Sequence, residues 1–261
     1  MRRVKLWLVT ICLQLGIATG ALAGPLDDYF QASQQFDQWV EKTGTMPRLT
    51  DERGAALIAT LSDNRRFLDN GTFDDTQLPA LMDLCDKANR KVMSYVLFDL
   101  RSHVDKSMPL LVIQQAVLKV EQQNIQTYQN ELSELQPFQI RCMARQMPLV
   151  TQYIEQLKPE QITPVRLSGL EQGRKGIEAV FLGALISASD TLLTEHYRAS
   201  VLKALDDAAA QLVPVMKPDG RERVEVKANS AMSSAPPSLQ DYIKGISDSL
   251  RQSTCAGLCK Y

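Results

Sequence analysis

Groups that catalysis leans on are scarce in this 261-residue chain: it has two histidines and two tryptophans, and aromatic residues make up 6% of it. His103 and His196 belong to no H-x-x-x-H or H-E-x-x-H pattern, so a zinc hydrolase would lack its ligands. Glu195 adjoins His196 only in sequence, and neighbouring helix residues do not face one another. No G-x-S-x-G elbow and no dinucleotide fingerprint occurs. Paired acids are present at Asp27-Asp28, Asp74-Asp75 and Asp206-Asp207. Glycoside cleavage needs two carboxylates across a cleft, and such clefts are usually lined by aromatic rings. These pairs read instead as helix starts or solvated faces, where acids complement the helix dipole. No catalytic residue and no cofactor is implied.

Long apolar runs are missing too, apart from the start. The opening "MRRVKLWLVTICLQLGIATGALA" has the basic beginning, apolar middle and small-x-small end of a secretory leader, with cleavage expected after Ala23. The longest later apolar stretch, "AVFLGALISA" from Ala179, is far short of the roughly 20 residues a membrane span needs. Cleavage would leave 238 residues with 26 basic and 30 acidic side chains. That balance gives no whole-chain attraction to nucleic acid or anionic lipid. The expected location is periplasmic or secreted, with no integral membrane segment once the leader is gone.

What the chain does have is helix formers. Leu, Ala, Gln, Glu and Lys dominate, and β-branched alternation is almost absent. Pro47, Pro79, Pro109, Pro137 and Pro164 recur about 30 residues apart, and proline is at home in the first turn of a helix, so each should mark a helix start. Apolar stripes at spacings of three and four follow several of them. Leu78, Leu81, Met82, Cys85, Ala88, Val92, Val96 and Leu100 form one; Ile113, Val117, Val120, Tyr128, Leu132 and Leu135 form another; Phe138, Cys142, Leu149, Tyr153 and Leu157 form a third, kinked at Pro148. Leu193, Tyr197, Val201, Ala204, Ala208 and Leu212 line one more. The expected fold is an all-α, antiparallel bundle of about six to eight helices over residues 24–216. Residues 217–237, rich in Pro, Gly, Ser and mixed charge, read as a flexible linker or long loop tethering a C-terminal helix over 238–261. Leu239, Ile243, Ile246 and Leu250 would dock that helix.

Two features remain. Gly169, Gly173, Gly176 and Gly183 lie on roughly one helix face. Each interior glycine costs about 1 kcal/mol relative to alanine, so close packing of a second backbone is expected in return. An anion held near Arg174 and Lys175 is the sharper alternative. The other feature is cysteine. Cys85 and Cys142 occupy apolar stripes, and Cys255 and Cys259 stand at the C-terminus as C-x-x-x-C. In an oxidising compartment four cysteines suggest disulfides, with Cys85–Cys142 and Cys255–Cys259 the preferred pairing and cross-pairing the alternative. Cys255 and Cys259 are also weak candidates for a metal pincer or an exchangeable dithiol. The leading functional expectation is an exported, non-enzymatic helical protein that binds another macromolecule, most simply a protein in the cell envelope. Envelope accessory, secretion-associated and toxin-neutralising factors all belong to that class. A thiol-based metal or redox protein and a cell-wall hydrolase are the alternatives.

Overall fold

A computed structural model describes residues 25–69, 73–74, 76–105, 107–255 and 257–261. The expected leader, residues 1–23, lies outside them. The described residues contain nine α-helices and no strand, the all-α bundle that the periodicity implies. The helices are α1 (Pro25–Thr43), α2 (Glu52–Leu61), α3 (Leu78–Val96), the single-turn α4 (Leu100–His103), α5 (Leu110–Glu155), α6 (Pro164–Ser187), α7 (Glu195–Leu212), α8 (Pro218–Ser234) and α9 (Pro237–Gln252). Side-chain caps start several of them. Asp51 accepts from the Gly54 N–H at 2.8 Å, and Thr194 does the same for Tyr197 at 3.3 Å, each satisfying an orphan first-turn donor.

The 46-residue α5 is the spine. It carries α3 on one side and α7 on the other, α9 lies on α7, and α8 bridges α9 and α6. Pro47 and Pro137 do not begin helices, contrary to the proline spacing: Pro47 is buried in the turn between α1 and α2, Pro137 is buried inside α5, and Pro148 lies exposed further along the same helix. Proline removes one ladder hydrogen bond, but dense packing from both flanks holds the helix together at Pro137. The helix instead departs from α geometry at Tyr128, with φ −112° and ψ 17°. At this point the rings of Tyr95 and Phe98 meet Tyr128 edge-on, with centroids 5.3 and 6.0 Å away.

The linker expected over 217–237 is also corrected: this stretch is α8. Pro218 sits at its first turn, and Gly220, Val224, Ala228 and Ala231 are buried. The stripe is built of small side chains, so a window average sees only the surrounding charge. The C-terminal helix docks as its stripe implies, with Leu239, Ile243, Ile246 and Leu250 all buried; a helix rather than a loop tethers it.

One hydrophobic cluster runs from Tyr29 to Leu258. It is pinned near the 44–51 turn by Glu131, only 1% exposed. Its Oε1 accepts from the Leu49 N–H at 3.0 Å and lies 3.2 Å from Arg48 Nε. The Tyr95 hydroxyl donates to the Pro47 carbonyl at 2.7 Å. Cys85–Cys142 ties α3 to α5, with Cα atoms 5.5 Å apart.

Candidate functional site

The helix α6 carries two faces of different character. Arg174, Ile177, Phe181, Ala184 and Leu185 are buried and fasten it to α7 and α8. Gly169, Gly173, Gly176 and Gly183 share another face with Val180, at successive spacings of four and three. Close packing was expected at these glycines, and the structure overturns it. A Cβ placed on any of the four meets no atom within 4 Å, and all four are exposed. Close approach occurs at other glycines. A Cβ at Gly54 would lie 2.5 Å from the Arg48 carbonyl oxygen, and Cβ atoms at Gly245 and Gly257 would fall on the Asp206 and Thr151 side chains. Periodicity revealed that the α6 glycines share a face, but not that the face is open.

That face is one wall of a groove. The opposite wall is α3, and α5 forms the floor. Two depressions lie end to end along it. The lower one, about 550 Å³, is lined mainly by apolar groups: Leu78 and Met82 of α3, Met147, Val150 and Tyr153 of α5, and Leu170 of α6, with Gly169 and Gly173 between them. The upper one, about 440 Å³, is mixed. Its apolar lining, Val92, Met93, Ile125 and Val180, alternates with polar groups that satisfy one another. Gln139 donates to Asn89 at 2.6 Å, and the Tyr197 hydroxyl donates to Gln136 at 2.7 Å. Glu121 also faces this depression, where burial pushes its carboxyl above the usual range. From Leu78 to Val96 the α3 wall spans about 27 Å at 1.5 Å per residue, the length of a helix of about 18 residues.

The cysteines pair as Cys85–Cys142 and Cys255–Cys259. After α9 the chain turns at Gly257, φ +53°, a left-handed conformation that glycine adopts without strain, and the two sulfurs meet. This clasp presents Leu258 to the end of the lower depression. Arg174, buried, holds the clasp: Nη1 donates to the Leu258 carbonyl at 2.8 Å and Nη2 to that of Tyr261 at 3.4 Å. Arg174 therefore serves the terminus rather than an anion. No cluster of three or more metal-ligating side chains occurs among the described residues.

The acid pairs are dispersed. Asp28 pairs with Arg66, and Asp207 with Lys203 at 2.9 Å. Burial, followed by neighbouring Asp207, pushes the Asp206 carboxyl up. One cleft, about 580 Å³, does bring together Asp69 and Asp207. Each faces a guanidinium there, Arg145 at 3.5 Å and Arg141 at 3.7 Å. Glycoside cleavage asks one carboxyl of the pair to sit in an apolar setting as the proton donor, and neither does. Ser200 stands three residues before Lys203, the spacing of a serine–lysine acyl-transfer pair. The Lys203 ammonium is committed to Asp207 on the solvent face. His196 is exposed on the first turn of α7.

The chain matches no protein-family model, no curated protein and no solved structure. No described helix is long and apolar enough to cross a membrane.

Proposed function

We propose that this chain is an exported, non-enzymatic helical protein of the cell envelope that binds a helical segment of another protein in the α3–α6 groove. One observation carries this reading: a helix-length groove, apolar in its lower half and mixed in its upper, whose α6 wall presents four glycines although alanine would fit at each position. Glycine at four places in a helix forfeits about 1 kcal/mol each. The return is an open channel in which a guest backbone approaches closely. An amphipathic helix laid in a hydrophobic groove is a recurring mode of recognition.

The test is site-specific photo-crosslinking in intact cells from Met82, which is 46% exposed in the groove, and from Val226, 65% exposed on α8. The expected product forms from Met82 and not from Val226. It is lost when Gly173→Leu and Gly176→Leu fill the channel in a protein whose thermal transition persists. A product that survives filling, or that forms equally from Val226, overturns the reading.

A further inference from the structure

The first turns of α5 stand apart from the bundle. Val120, 4% exposed, is the first buried α5 side chain, and no residue from 110 to 119 joins the hydrophobic cluster. The Asn124 amide marks the point of departure, donating to the carbonyls of Val96 at 3.1 Å and Phe98 at 2.8 Å. From Leu110 to Lys119, at 1.5 Å per residue, this is about 14 Å of helix. At its beginning Leu110 is 70% exposed, Leu111 65% and Val112 44%, with Leu118 at 64% two turns on. No Asp, Glu, Lys, Arg or His occurs from Ser107 to Leu118, so this stretch carries no charge to desolvate.

The arrangement selects the kind of partner. Successive helix residues are separated by about 100°, so Leu110, Leu111 and Val112 look out on different sides of the tip. Leu118 falls between Leu110 and Leu111 in angle, so a partner helix or groove covering that stripe would still leave Val112, about 200° from Leu110, in water. A stable protein interface also takes about 20–30 residues from each side, and here four exposed large apolar side chains give way to Gln114, Gln115, Gln122 and Gln123. A surrounding apolar medium buries all sides at once. Reversible binding to a bilayer surface asks for only modest buried apolar area. Lys119, exposed, bounds the uncharged stretch on its C-terminal side and can meet a phosphate headgroup.

We infer that the tip of α5, Leu110 to Val112 with Leu118, inserts into the surface of a lipid bilayer. This surface is separate from the α3–α6 groove and stands whether or not the groove binds a helix. The experiment attaches a polarity-sensitive fluorophore to Val112→Cys, with both native disulfides intact, and adds vesicles of phosphatidylethanolamine and phosphatidylglycerol or of phosphatidylcholine alone. The expected result is a blue shift with both compositions and flotation of the protein with the vesicles. Leu110→Asp with Leu111→Asp should lower the partition coefficient by at least about tenfold. Those residues touch no core, so the variant should melt as the parent does; if it does not, the dye shift in the otherwise unaltered chain decides. Emission unchanged by vesicles overturns the inference. So does binding to phosphatidylglycerol alone that the Asp substitutions leave intact, which is electrostatic adsorption. A shift that grows with protein concentration without lipid, with doubling of the sedimenting mass, assigns the tip to a second copy instead.

Discussion

Replacing glycine by alanine should have opposite signs at two sets of positions in this chain, and the sign reports what each glycine faces. At Gly173 and Gly176 an added Cβ meets nothing within 4 Å and the backbone is already helical. The change therefore removes only the entropic handicap of glycine, a gain of about 0.8–1 kcal/mol per site. For a chain of this size that raises Tm by about 2–4 °C each. At Gly54 the same methyl would sit 2.5 Å from the Arg48 carbonyl oxygen and 2.8 Å from its nitrogen. That backbone cannot give way easily, because Glu131 holds Arg48 and Leu49 and Tyr95 holds Pro47. Overpacking of this kind costs about 1–3 kcal/mol. Thermal and urea unfolding of Gly173→Ala, Gly176→Ala and Gly54→Ala under one buffer would measure all three. A loss of stability at Gly173 or Gly176 would refute the open groove and restore close helix packing at α6.

Other expectations follow from the same contacts. Replacing both Cys85 and Cys142 by alanine frees a 57-residue loop and should cost about 4 kcal/mol on the chain-entropy relation; Cys255→Ala with Cys259→Ala, closing only four residues, should cost about half that, both read from urea midpoints. Arg174→Met removes the donors to Leu258 and Tyr261, and should raise amide exchange in residues 257–261 while leaving that of α3 unchanged. Burial raises the hydroxyls of Tyr29, Tyr95 and Tyr197, the last to about 12. Above pH 10 the unfolded chain releases protons the folded chain keeps, so stability is full below pH 10 and falls as pH rises through 10 to 12. Each tyrosine contributes a slope of up to about 1.4 kcal/mol per pH unit. A stability flat from pH 8 to 11.5 would contradict that burial.

Periodicity alone was enough for the helices whose stripes are built from large side chains. Leu239, Ile243, Ile246 and Leu250 mark a docking face without ambiguity, and all four are buried. The α8 stripe of Gly220, Val224, Ala228 and Ala231 gives no comparable contrast with its polar surroundings, so its helical state depends on α6 and α9 being there to cover it. Pro137 shows the same limit from the other side. A local rule says that proline opens a helix, whereas packing against α3 and α7 on both flanks carries α5 through it.

The candidate site divides along the same line. Sequence by itself determined that four glycines share a face of α6 and that Cys255 and Cys259 are close enough in the chain to meet, because helix geometry and chain reach are local properties. Only the tertiary structure decided that the glycine face looks into a channel rather than onto a neighbour, and that Arg174 grips the C-terminal carbonyls. Both depend on where α3, α5 and the terminal turn lie relative to α6, and those positions are fixed by contacts such as Arg174 with Tyr261, 87 residues apart, beyond the reach of any local spacing.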